Sequence, residues 1–495
     1  MLHFVFSFFF PFLAMGKSSS ESADWKKKQA VTYASFSYVN HVASSLTHIF
    51  YATTNGILRF NKQTNEWEPP LTGTNGTNSL NGEEVKRIWA GTFGDKLYAE
   101  TELGLYEYDL LFESWFPITE LPKLEKNYEH IAPSQTLIPP VGSNYFGDGN
   151  FVDLHGRRYS IRDAIDDNSG TLWIGTWGYG PAKASASSWV MELLPFGLIQ
   201  NRTDAIYVED TLIWFAGSTL GQPRTGITAM TRDASQFFHI ESGVSSDLPP
   251  VDVNCLAGDA KSLYVGTSTG LTILERQFWR QIRSVDRRHG LGDDNVLSLK
   301  KIGDSLFVGT AGGLTLIHHN LDSIRQVYPN QFSNRAVYDL ERIGDFLWLA
   351  TDAGAFRLSL ISGELHEFID TTQLIFSRVF DIEQSGENIW LAATNGLVKV
   401  NARTGVVTSF QDLSTRTSVR ALAVNDKIAA VASDRGLTVF VLEGKNPRTW
   451  EFTTDDGLAS NYVFDLYIDG DYIWVATDQG VTRFHWNDPK YISNR

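Results

Sequence analysis

Hydrophobic and polar positions alternate along this chain in short runs, where a helical chain would repeat its apolar positions every three to four residues. "AVYDLERI" (Ala336–Ile343) and "YVFDLYI" (Tyr462–Ile468) are such runs. Each ends at a tight polar turn, as in "DGD" (Asp469–Asp471), "GDS" (Gly303–Ser305), "SGEN" (Ser385–Asn388) and "DDNSG" (Asp166–Gly170). A period of two bounded by Gly, Asp and Asn predicts half-buried strands joined by hairpins. After each turn comes a second apolar run ending in Gly/Ala-Thr, such as "LWIGT" (Leu172–Thr176). A glycine turn then opens a third run, "GLTLI" (Gly313–Ile317) or "GVTRF" (Gly480–Phe484). A fourth run often carries an aromatic residue, as in "EWEPP" from Glu66, "SWFPI" from Ser114 and "WEFTT" from Trp450.

This unit recurs ten times. The glycines that open its third run are Gly56, Gly104, Gly180, Gly226, Gly270, Gly313, Gly354, Gly396, Gly436 and Gly480. All intervals but one fall between 40 and 48 residues; the exception, 76, lies between Gly104 and Gly180. Four short antiparallel strands in each tandem unit of this length predict an all-β β-propeller of about ten four-stranded blades. Five Trp lie in second strands (Trp173, Trp214, Trp348, Trp390, Trp474) and five open outer strands (Trp67, Trp115, Trp189, Trp279, Trp450). Their recurrence in register points to packing between blades. The last unit has three strands, and an unpaired strand-like run, "AVTYASF" (Ala30–Phe36), precedes the first. We expect that run to supply the missing outer strand and close the fold. The sequence leaves two arrangements open, one wide ring of ten units or a ring of fewer with extra units beside it.

Charge and composition narrow the function. The formal net charge of −15 argues against nucleic acid as a partner, because a phosphate backbone rewards clustered Lys and Arg. The one cysteine, Cys255, excludes an intramolecular disulfide and reads as a buried thiol. Residues 2–14 are almost wholly apolar, and Ala14-Met15-Gly16 places small residues where a signal peptidase cuts. The expected organisation is a signal peptide over 1–16, a polar linker over 17–29 and a single propeller over 30–495 with an insertion at about 121–159. The expected location is exported: periplasm, cell surface or extracellular. No later apolar run is long enough for a membrane helix.

"GLASNYVFDLYIDGDYIWVATDQGVTRF" (Gly457–Phe484) and "HGLGDDNVLSLKKIGDSLFVGTAGGLTLI" (His289–Ile317) resemble the two-component-regulator propeller repeat. In that family Gly-Leu precedes the first strand, Trp-Ile/Val-Gly/Ala-Thr forms the second and Gly-Leu opens the third. The resemblance runs over roughly Val42–Trp486 and implies a propeller that binds or senses, in a stand-alone exported form without a kinase region. It brings no catalytic residues, cofactor or metal.

Candidate chemistry gathers in two places. The insertion ends in "SNYFGDGNFVDLHGRRYS" (Ser143–Ser160), beside a unit-3 turn, "GTWGYGP", that departs from the repeat. Its candidate ligand-binding residues are Tyr145, Asp148, His155, Arg157 and Arg158, joined by Trp177 and Tyr179 of the turn. Aromatic rings beside arginines suit a glycan, a small acidic ligand or a protein partner. Pro181 stands where the third strand of unit 3 should begin. The second place is the first strands, where Asp163, Asp339, Asp381 and Asp465 share one position. They are candidates to line a central channel, or to hydrogen-bond between neighbouring blades. No phosphate-loop Lys, Gly-x-Ser-x-Gly or His-Glu-x-x-His is present. The reading is therefore an exported binding or scaffold propeller. A propeller-based lyase or hydrolase and a detached sensor subunit are the alternatives.

Overall fold

In a computed structural model of the chain, the described residues are 30–487 without 73–79, 81–82, 95, 110–113, 133–136, 141–142, 154, 223, 319–322, 368–377, 395, 405, 413–418 and 443–447. The leader and linker expected over 1–29 lie outside them.

Every unit folds as an antiparallel sheet with its strands in chain order. The shared Gly/Ala-Thr core has a local cause. The hydroxyl of the terminal Thr donates to the carbonyl of the turn glycine, from Thr53 to Gly56, Thr267 to Gly270, Thr351 to Gly354 and Thr477 to Gly480, each at 2.7 Å. The same oxygen accepts the N–H two residues on, as from Asn55 and Gln479 at 3.1 Å. Thr thus fixes the turn that the glycine makes possible. Gly480 has φ +129°, and a Cβ there would stand 2.5 Å from the Tyr33 carbonyl oxygen. That carbonyl belongs to the strand Ala30–Tyr33, which pairs antiparallel with Gly480–His485, Ala30 opposite Phe484 and Tyr33 opposite Val481. The N-terminal run completes the last sheet as expected.

A first-strand position opposite the Gly or Ala of the core carries bonds between neighbouring sheets. Asp at this position accepts a backbone N–H of the neighbouring sheet. Asp339 bonds Ile382 at 3.1 Å, Asp381 bonds Leu422 at 2.6 Å, Asp465 bonds Ile206 at 2.6 Å and Asp163 bonds Val42 at 2.8 Å. The acceptor pattern links unit 7 to 8, 8 to 9, 10 to 4, and 3 to 1. Ser298 extends the pattern by donating to Val337 O at 3.1 Å. Inner strands of units 4 to 10 neighbour one another in a cycle, the last beside the first. Units 1, 2 and 3 make a separate group, in which the inner strand of unit 1 (Val39–Ser44) lies between those of unit 3 (Arg158–Asp166) and unit 2 (Arg87–Ala90). The ten sheets are therefore arranged as seven plus three, the second of the two arrangements the sequence leaves open.

The two groups share one core. Trp67 and Phe196 have ring centroids 5.0 Å apart, Phe196 and Phe237 4.7 Å, and Tyr33 stacks on Trp474 at 6.0 Å. The second-strand tryptophans are buried between sheets as their recurrence predicts, Trp214 and Trp474 each at 1% exposure. Cys255 sits in an inner strand, where burial raises its thiol pKa well above the ordinary value.

The insertion adds a hairpin, Ser143–Gly147 and Asn150–Asp153, to the inner edge of unit 3, with Phe151 opposite Tyr159. The short strand Glu129–His130 pairs on the same edge, opposite Ile165 and Asp166. Pro181 does not interrupt unit 3: Gly180–Ser185 is a strand with Pro181 opposite Gly175. Proline is tolerated at such a strand start.

Candidate functional site

Between the two groups of sheets lies a polar cleft of about 250 Å³. Four separate segments build it, contributing Ser35, Ser37 and Tyr38, then Thr54 and Asn55, then Ile199 and Asn201, and last Gly221, Gln222 and Arg224. The first carries the chain from the completed last sheet into unit 1. It is held at both ends, by a bridge from Ser35 to Gly197 and one from Tyr38 to Trp177. This explains the aberrant unit-3 turn. Gly178 and Gly180 both donate their N–H to Ser37 O, at 2.7 and 2.9 Å. Gly178 has φ +111°, and a Cβ there would meet the Tyr159 ring at 2.6 Å.

Hydrogen bonds preset the cleft walls. The Asn201 side-chain oxygen accepts Ser35 N–H at 2.8 Å, and Asn55 Nδ2 donates to Ser35 O at 2.6 Å. Arg224 is clamped on Glu241, Nε to Oε1 at 3.1 Å and Nη2 to Oε2 at 2.8 Å, so its charge is compensated. The Tyr38 hydroxyl, the Asn55 side-chain oxygen and the Gln222 side-chain NH₂ have no partner among the described residues. Burial raises the Tyr38 hydroxyl pKa, with Arg224 opposing the shift.

The residues singled out from sequence fall into two sets. Trp177 stands edge-on to Tyr38 at 4.9 Å, with Arg162 over its ring at 4.7 Å. Tyr179 stacks on Tyr159 at 3.9 Å under Arg224 at 5.4 Å. Both adjoin cleft-lining side chains. Arg157 is next to them but engaged: its Nε donates to Asp153 at 2.7 Å and it pairs with Glu241. Asp153 also accepts N–H groups of His155 and Arg157, both at 2.9 Å, which with that guanidinium hold its pKa low despite burial. Tyr145 and Asp148 lie apart on the hairpin, His155 in the turn after it and Arg158 at the start of the inner strand of unit 3. The Tyr145 hydroxyl accepts Gly149 N–H at 2.8 Å, Asp148 and His155 are exposed, and Arg158 lies over Phe146 at 5.7 Å. Sequence reasoning missed Ser35, Tyr38, Asn55, Asn201, Gln222 and Arg224. Their only signal is the stretched turn of unit 4 and the run before unit 1.

The shared Asp position is divided between the two groups. Asp339, Asp381 and Asp465 belong to inner strands of the seven-sheet group, within electrostatic reach of Glu341, Glu383 and Lys300, and Asp163 belongs to the three-sheet group. All four make the bond between sheets described above. Lys300 pairs with Glu341. Burial, reinforced by neighbouring carboxylates, pushes Asp465 up to about 7 and Glu383 up to about 8, and Asp381 well above the ordinary value. Among the described residues one further group has metal-ligand chemistry: His41, His130 and Asp163.

No protein-family model matches the chain, and no curated protein matches it by sequence. Solved structures do. PorZ, an essential bacterial surface component of the type-IX secretion system of Porphyromonas gingivalis, is 12% identical with a TM-score of 0.50, covering 93% of this chain and 71% of PorZ. The extracellular domain of a proposed hybrid two-component system of B. thetaiotaomicron is 12% identical with a TM-score of 0.47, covering 91% of this chain and 70% of that one. At such identity the likeness to PorZ shows the fold, a many-sheeted propeller type. No helix among the described residues is long and apolar enough to cross a membrane.

Proposed function

We propose that the protein is an exported binding module that holds a polar, uncharged ligand of the glycan class in the cleft between its two groups of sheets. The observation that carries this is the cleft itself: four segments distant in sequence converge there, and three side chains keep hydrogen-bonding groups without partners among the described residues. Arg224 adds no net charge, since Glu241 compensates it. Tyr38, backed by Trp177, supplies the aromatic surface that sugars commonly pack on. Export rests on the apolar 2–14 segment of the sequence.

The test is a glycan array followed by calorimetry on the best ligand. Gln222→Ala and Tyr38→Ala should each weaken binding about tenfold, the loss of about one good hydrogen bond to the ligand, with an unchanged melting temperature. An array without hits, or variants that bind like the wild type, would overturn the reading.

A further inference from the structure

We propose that His41, His130 and Asp163 form a binding site for a divalent transition-metal ion of the zinc class. The three come from the inner strand of unit 1, the strand Glu129–His130 and the inner strand of unit 3. Their candidate ligand atoms all lie within 4.8 Å of one another. His130 Nδ1 is 2.9 Å from Asp163 Oδ1, and His41 Nδ1 is 3.8 Å from Asp163 Oδ2. A tetrahedral ion with nitrogen and oxygen ligands at about 2.0–2.1 Å sets its ligand atoms roughly 3.3–3.4 Å apart. The two observed separations bracket that value.

Three further observations favour an ion over an ordinary hydrogen-bonded trio. His41 Nδ1 is buried and makes no hydrogen bond, a condition that native interiors rarely leave uncompensated. Asp163 is held in place by Val42 N–H at 2.8 Å, the kind of outer bond that orients a ligating carboxylate. His41 also occupies the register position that carries Asp163, Asp339, Asp381 and Asp465 in four other units, Ala205, Cys255, Ser298 and Ala421 in four more, and Arg87 in unit 2. A small residue suffices there in four units, so packing alone does not call for an imidazole. Trp89 and Tyr128 flank the two rings at 6.2 and 5.6 Å. Of the nearby cations, Arg87 is paired with Glu100 at 2.8 Å and Lys126 lies over the Tyr128 ring. Two nitrogens and one carboxylate select zinc, cobalt, nickel or copper over magnesium and calcium. The His130 side chain is 38% exposed, which leaves a fourth position open to water.

The test uses the metal alone. The metal-stripped protein is titrated with Zn²⁺ by calorimetry, and with Co²⁺ by visible absorption, which reports tetrahedral coordination. We expect about one ion per chain. His130→Ala and Asp163→Asn should weaken it at least about tenfold, while His155→Ala and His318→Ala leave it unchanged. Melting temperatures without metal check that each variant folds; His130→Gln replaces His130→Ala if that one does not. Excess Mg²⁺ or Ca²⁺ should not displace the ion. Absence of binding to the wild type, or equal binding by the His130 variant, would overturn the proposal.

Discussion

The Asp465 carboxylate accepts a 2.6 Å hydrogen bond from Ile206 N–H, across the place where the last sheet meets the fourth. Asp465→Ala would leave that buried N–H without its partner, at a cost of about 1–3 kcal/mol. Chemical denaturation should therefore show a loss in this range. Asp465→Asn keeps an acceptor oxygen and should lose far less, so equal losses in the two variants would refute the role of this bond.

The same residue and Glu383 set a pH dependence. Both carboxyls are raised in the folded state, to about 7 and about 8, above their ordinary values of 3.8 and 4.5. Between those ordinary values and the raised ones, the folded chain keeps protons that the unfolded chain has lost. Stability contributed by these groups is thus full at low pH and falls as pH rises through roughly 4 to 8. Glu383→Gln should melt like the wild type near pH 4 and higher than it near pH 8. An identical pH profile in the variant would exclude Glu383 as a source of the slope.

Tyr33 anchors the N-terminal strand. It is 2% exposed and packs among Phe196, Phe237 and Trp474. Tyr33→Ala should cost about 3–5 kcal/mol, as for other large buried aromatics. Removal of residues up to Phe36 should lower the melting temperature more, because it also opens the last sheet; an unchanged melting curve would contradict the pairing with Val481–Phe484.

Glu241 is 6% exposed and holds two guanidiniums, Arg224 and Arg157. Glu241→Ala strands the Arg224 charge, leaves Arg157 with Asp153 alone, and should destabilise by about 3–5 kcal/mol. Arg157→Ala leaves Glu241 with Arg224 and leaves Asp153 with its backbone donors, so about 1–2 kcal/mol is expected. The order of the two effects is the check.

The sheets were legible because each is local: alternation, a polar turn and a Thr three residues before a turn carbonyl all lie within one unit. The Asp at the shared position could be read as a bond between blades, and the structure bears this out at Asp163, Asp339, Asp381 and Asp465. Which sheet each Asp would meet was not legible. The partner of Asp465 is 259 residues away at Ile206, and no pattern inside a unit encodes it. The cleft was legible only at its border. Trp177 and Tyr179 broke the repeat and so drew notice, whereas Ser35, Asn55 and Asn201 are ordinary polar residues that matter only by convergence. His41 and His130 escaped for the same reason, lying 89 positions apart with no spacing motif between them.

The strand Ala30–Tyr33 finds its partner far later in the chain. Thr32 and Thr482, hydroxyl to hydroxyl at 3.0 Å, are 450 residues apart. At about 5–20 residues per second, a ribosome needs roughly 20–90 s to cover that distance. Throughout that time Ala30–Tyr33 has no edge to join, and the last sheet cannot be finished until Gly480–His485 has emerged. Completion of the last sheet is thereby a late event, and a chain stalled before it offers an apolar strand to any open edge, including that of a second copy.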